Sequence, residues 1–178
     1  QRFECDLVVA GIGIEPQVEL AKAAGLYCDD GIHVDDYART ADPHIVAAGD
    51  CVNRLCPFTG RRIRLESVHN AVEQAKAAAL SLLGESHAYA QVPWFWSDQF
   101  DLKLQIAGLS GDHDRVVVRG NPDDASFSAC YLRSGKLIAV DAVNSPRDFM
   151  AGKQLIAAET VVDAGQLADS TTTLFDLI

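Results

Sequence analysis
The sequence predicts an α/β segment followed by an α+β domain with an antiparallel sheet and flanking helices. Two observations carry that prediction. In residues 1–91, short apolar runs closed by glycine alternate with stretches of helical spacing. From Leu102 to Val143 the apolar residues recur with period two, and a helical pattern follows. A chain of 178 residues suits one large domain or two small ones, and 48% hydrophobic with 22% charged residues is enough to bury a core.

Cys5–Ile14, CDLVVAGIGI, is nearly continuous apolar sequence closed by glycines, the pattern of a parallel strand buried on both faces. Val18–Gly25 has helical spacing and a glycine stop. Gly31–Asp35 alternates as a short strand after the Asp29-Asp30 turn. In Thr40–Asp50, TADPHIVAAGD, a polar turn closed by Pro43 leads into an apolar strand, Ile45–Ala48, which stops at Gly49-Asp50. Cys51–Arg64 reads as a connection containing Pro57 and Gly60. Ser67 is a suitable N-cap for a helix running to about Leu83, with Gly84 as its stop. Ala71, Ala75, Ala78 and Ala79 would give that helix a small-residue packing face.

Residues 84–92 read as a linker. Beyond it, Trp94 and Trp96 share one face of a strand. Four further strands fall at Leu102–Ile106, Arg115–Arg119, Ser126–Leu132 and Lys136–Val143, with turns at Asp112–Asp114, Gly120–Asp123 and Arg133–Gly135. Such close spacing implies antiparallel pairing. A helix from Ser145-Pro146 to about Ala158 follows, then a short turn or helix at Asp163–Leu167 and the start of another at Thr173.

The formal net charge of -10 argues against a nucleic-acid partner. No apolar run reaches membrane-spanning length and no secretory signal opens the sequence. The five cysteines lack paired metal-ligand spacing and read as reduced, cytoplasmic thiols; Cys51 and Cys56 are not expected to form a redox pair. Gln1 leads almost directly into apolar strand sequence, so a piece of a longer protein is expected.

The chemistry concentrates at three places. Glycine lets a backbone pass close to a bulky ligand, and a carboxylate beyond it accepts hydrogen bonds from ligand hydroxyls, which suits Gly49-Asp50. An ordinary buried strand with a capping aspartate would read the same way. The amino end of the Ser67 helix offers free N–H groups to an anion. Trp94 suits a core anchor, and Trp96 either a second anchor or a ligand-facing ring.

The pattern T-x-x-P-x-I-x-A-x-G-D from Thr40 to Asp50 resembles the second flavin-binding motif of two-dinucleotide-domain flavoprotein reductases. Arg64–Lys76, RLESVHNAVEQAK, resembles the R-x-E-S-V-Q-N-A-x-x-Q-A helix of oxygenase-coupled ferredoxin reductases, departing from it at His69, where glutamine is usual. Pro93–Gln99, PWFWSDQ, resembles the entry to the C-terminal domain of the same reductases. Gly11–Pro16, GIGIEP, is similar to the exit from their NAD-binding domain.

The resemblance implies the C-terminal half of an FAD-dependent NAD(P)H:ferredoxin reductase serving a Rieske oxygenase or a cytochrome P450. Residues 1–16 would be the exit strand of the NAD-binding domain. Residues 17–91 would be the last part of a Rossmann-like FAD-binding domain, and 92–178 the reductase C-terminal domain. It implies FAD contacts at Gly49, Asp50, Ser67, Val68 and Trp96, and NAD(P)H contacts at Gly11, Gly13 and Glu66. Glu66 reads equally as an acidic residue favoured by the helix dipole. The partner implied is a 2Fe–2S ferredoxin, met in part by Lys76; a homodimer is compatible with the same architecture. The first FAD fingerprint is absent, so these residues alone are expected to be inactive. The alternative is a module like that of apoptosis-inducing-factor flavoproteins, used for partner binding or dimerisation.

Overall fold
The computed structural model describes residues 2–178. Residues 2–15 are exposed and form no strand. The expected strand at Cys5–Ile14 is therefore not formed. A parallel strand is held by neighbours, and no described strand lies beside this one.

The first ordered part holds α1 (Glu19–Ala23), β1 (Ile32–Val34), β2 (Val52–Leu55), β3 (Arg62–Arg64) and α2 (Val68–Leu82). β1 and β2 pair in parallel, with Ile32 opposite Val52, and β3 returns antiparallel along β2. The stretch expected to be a plain connection, 51–64, is thus mostly a hairpin. Its turn closes through the Gly60 N–H donating to the Cys56 carbonyl. Ile45–Ala48 is not a strand; only Val46 bridges, to Arg39. Thr40 closes the turn before it, its hydroxyl donating to the Ile45 carbonyl at 2.9 Å.

α2 buries Asn70, Gln74, Ala77 and Ala78. Ala75 and Ala79 face solvent, so the buried stripe lies a third of a turn from the expected alanine face. The helix ends as expected, at Gly84 with φ +81°. The linker after it is tied down: the Tyr89 N–H donates to the Asp36 carbonyl at 2.9 Å. The buried Arg54 guanidinium stacks on the Tyr89 ring, 4.1 Å from its centroid, and donates to the Tyr89 carbonyl.

The second part is a five-stranded antiparallel sheet in the order β4-β5-β8-β7-β6. Its strands are β4 (Trp94–Gln99), β5 (Leu102–Gly108), β6 (Arg115–Asn121), β7 (Ser126–Arg133) and β8 (Lys136–Val143). All five were expected, and β4 and β6 are the edges. α3 (Pro146–Ala157) lies across one face and buries Phe149, Leu155 and Ile156. It approaches closely because Gly152 has no side chain: a Cβ there would stand 2.7 Å from Val140 Cγ2. Gly108 is a second forced glycine, with φ +77° and the Ile138 carbonyl oxygen 2.1 Å from where a Cβ would be.

α4 (Ala164–Ala168) and a 3-10 turn at Leu174–Leu177 close the core with Leu167 and Leu174. Arg119, 6% exposed, locks this end. Its Nε donates to both Asp148 carboxylate oxygens at 3.2 Å, and its terminal nitrogens donate to the carbonyls of Leu167, Asp169 and Thr172. The two parts meet where Phe58 of the β2–β3 turn packs against the C-terminal core and Arg61 pairs with Asp112 at 2.8 Å.

Candidate functional site around the amino end of α2
The start of α2 is built by its own sequence. The Ser67 hydroxyl accepts from the Asn70 N–H at 3.2 Å, and Asn70 Nδ2 donates to the Leu65 carbonyl at 2.9 Å. These bonds fix the direction of entry. Among the described residues, the Val68 and His69 N–H groups meet no acceptor. No acidic side chain stands in the first turn to neutralise the dipole. Asn70, 1% exposed, keeps its Oδ1 without a partner.

Gly49-Asp50 abuts this helix. Gly49 has φ +88°, and its N–H donates to Gln74 Oε1 at 2.7 Å. A Cβ on Gly49 would lie 3.7 Å from Ala71 Cβ. The Gly49 carbonyl accepts from the Val52 N–H, closing the turn into β2. The Asp50 and Cys51 N–H groups have no acceptor among the described residues, and Asp50 is exposed. Two adjacent free amides after a left-handed glycine favour an anion.

Arg64 braces the same turn from beneath. It donates to Asp30 at 2.9 Å, to the Asp50 carbonyl at 3.3 Å and to Glu66 at 2.7 Å. Asp30 first, then Glu66, hold the guanidinium firmly protonated against a partial burial cost. Glu66, expected as a dipole-favoured or nicotinamide-facing acid, is therefore held by an ion pair.

On the opposite flank the tryptophans reach α2 through His69. Trp94 and Trp96 do share a face, ring centroids 5.4 Å apart, and Trp94 lies 5.1 Å from the His69 ring. Trp94 also packs on Phe149 at 5.7 Å and beneath Lys153 Nζ, so it is the anchor. Trp96 remains 38% exposed. His69 Nε2 meets Gln91 Oε1 at 3.1 Å while Nδ1 is buried without a partner. Burial lowers the His69 pKa, and nearby Lys153 works in the same direction. Gln91 donates to Glu73 at 2.8 Å, and Glu73 accepts from Lys76 at 2.5 Å. The Lys76 bond holds the Glu73 carboxyl below its usual range. Lys76 is thus a half-compensated cation rather than a free one.

The first two turns of α2 therefore join Gly49-Asp50 on one side to the tryptophan strand on the other. The place is an open face rather than a hollow. Cavities of about 330, 410 and 290 Å³ lie elsewhere, and none is lined by Gly49, Asp50, Ser67, Val68 or Trp96. Val68 is 62% exposed on this face. Gly11 and Gly13 stand on the exposed leading stretch with nothing within 4 Å of a notional Cβ, and so are not brought to this face. All five cysteines are free thiols, and Cys56 is buried.

Two features were not anticipated. Gln74 lies inside the helix motif, yet its bond to a residue 25 positions away has no local sequence signal. Arg64 opens the motif, but its bracing role depends on three separate segments meeting.

Residues 1–75 match the family described as pyridine nucleotide-disulphide oxidoreductase, and residues 94–178 match the reductase C-terminal family. The chain belongs to the pyridine nucleotide-disulphide oxidoreductase family. Rhodocoxin reductase of Rhodococcus erythropolis is 47% identical over 175 residues, covering 98% of this chain and 40% of that protein. The ferredoxin–NAD(+) reductase component of the anthranilate 1,2-dioxygenase system of Burkholderia cepacia is 48% identical over 170 residues, covering 95% and 42%. The crystal structure of the covalent putidaredoxin reductase–putidaredoxin complex superposes with a TM-score of 0.93 at 42% identity, covering 99% of this chain and 42% of that one. The chain thus spans about two fifths of the length of these family members. The fold class holds: a partial FAD/NAD(P)-binding segment, then an α+β domain with a five-stranded antiparallel sheet. Among the described residues, no helix is long and apolar enough to cross a membrane.

Proposed function
We propose that these residues are the C-terminal part of a cytoplasmic ferredoxin reductase that moves electrons from NAD(P)H through FAD to a 2Fe–2S ferredoxin. In this reading 1–16 leave the NAD-binding domain, 17–91 finish the FAD-binding domain and 92–178 form the C-terminal domain. The observation that carries it is the junction at α2, where a left-handed Gly49 turn and a tryptophan-bearing strand meet one helix end whose first two amides are free. Two features fit a flat cofactor that gains negative charge: four free backbone N–H groups and the exposed faces of Val68 and Trp96.

When bound, FAD supplies hydride acceptance and the conversion of a two-electron donor to one-electron steps. The chain's own residues bind and orient. Asp50 accepts from ribityl hydroxyls, and Gly49 keeps the backbone out of the way. The Val68 and His69 N–H groups and the α2 dipole stabilise negative charge by about 0.3–1 kcal/mol, or up to about 2 if partly buried. Trp96 covers the ring and excludes water. Glu66, held by Arg64, borders the nicotinamide side, with Gly11 and Gly13 brought close only by the rest of the protein. Lys76 meets the ferredoxin. No acid–base triad is required.

The full-length protein containing these residues should show a flavin spectrum that bleaches on adding NADH and recovers on adding oxidised ferredoxin. A colourless protein that gains no flavin on reconstitution would sink the reading. The isolated 178 residues should bind FAD no better than micromolar in calorimetry.

A further inference from the structure
We infer that Gln74 is a positioning residue for the flavin-binding turn, a role that rests on the FAD reading above. It lies on the buried face of α2, 2% exposed, and touches none of the groups assigned to the cofactor except through the backbone of Gly49. Its Oε1 takes the Gly49 N–H at 2.7 Å. The Val52 N–H donates to the Gly49 carbonyl at 3.0 Å. Both sides of Gly49 are therefore pinned, one to α2 and one to β2.

That pinning has a consequence for the next two residues. With the Gly49 amide turned inward, the Asp50 and Cys51 amides are left outside the turn with no acceptor, and Asp50 stands in solvent. Were the Gly49 amide unheld, a residue at φ +88° would be free to turn, because glycine pays little for leaving that region. Gln74 thus converts the most flexible residue of the turn into a fixed one. It also sets the turn's distance from α2, whose free amino end lies two turns earlier on the same helix. A side chain lacking an acceptor would leave a buried N–H unsatisfied, and the turn would move to hydrate it.

The test uses the full-length flavoprotein, with Gln74→Met, which keeps length and loses the acceptor. Ser81→Ala is the control. It removes another bond from the same helix, Ser81 Oγ to the Tyr37 carbonyl at 2.6 Å, which leads away from the flavin turn. After deflavination, FAD affinity is measured by fluorescence and stability by thermal melting. Both variants should melt lower, while only Gln74→Met should weaken FAD binding, by about tenfold or more. An affinity within threefold of wild type, or equal weakening in Ser81→Ala, overturns the inference. Should Gln74→Met not fold, hydrogen exchange on flavin-free wild type decides: a protected Gly49 amide supports the inference and a fast-exchanging one overturns it. Wild type that takes up no FAD at all overturns the functional reading instead, and is told apart by that.

Discussion

Replacing Arg119 with Met removes a guanidinium that organises the far end of the C-terminal domain. The wild-type side chain makes a two-oxygen contact with Asp148 and donates to three carbonyls, at 6% exposure. Met has similar length and no donors. Asp148 would then keep only the Ser128 hydroxyl, at 2.9 Å, while still largely buried. Breaking a buried ion pair by removing one partner costs about 3–5 kcal/mol. Asp169 and Thr172 are exposed residues, so the lower end of that range, about 3 kcal/mol, applies. For a chain of this size that is a fall in Tm of about 6–12 °C. Urea unfolding measures it directly. The double variant Arg119→Met with Asp148→Leu should regain at least about 1 kcal/mol, because the stranded charge is gone. A single variant within about 1 kcal/mol of wild type would refute the reasoning, as would a double variant no better than the single.

Three other outcomes follow from the structure. Gly108→Ala should cost more than about 3 kcal/mol, through a Cβ driven at the Ile138 carbonyl, whereas Gly111→Ala, with open space around it, should melt like wild type. Because burial lowers the His69 pKa, the unfolded chain binds its proton first as pH falls through the ordinary value of 6.5, and stability drops. His69→Gln should remove that part of the drop; denaturant unfolding at about pH 7.5 and about pH 5 should therefore show the variant gaining on wild type in acid, and a constant difference would exclude the linkage. In the full-length enzyme, Lys76→Glu should slow cytochrome c reduction through ferredoxin several-fold and leave ferricyanide reduction unchanged, with the Glu73 pairing lost at a cost of only about 0.3–1 kcal/mol; equal loss of both activities would place the effect away from ferredoxin docking.

The C-terminal sheet was legible because its information is local. Lys136–Val143 is a mostly apolar run bounded by turn residues, and the strand has those same limits. α2 was legible at both ends because Ser67 and Gly84 are chemical punctuation. The β2–β3 hairpin was not legible: Arg54 is buried in it through stacking on Tyr89, and nothing in an arginine marks an inward position. Cys5–Ile14 shows the opposite error, since strand-like composition does not supply a neighbouring strand. At the candidate site, no local sequence signal shows that the Gly49 turn and Trp94 both meet one helix. That depends on Gln74 and His69 reaching residues far along the chain.

Strand β4 is an edge, bonded to β5 alone. Shifting it breaks one ladder, whereas shifting β5 or β8 would break two. The indole pair is therefore mounted on a margin of the slab, where Trp94 is held by His69 on one side and Phe149 on the other. A shift confined to this edge would move Trp96 while leaving the other four strands paired.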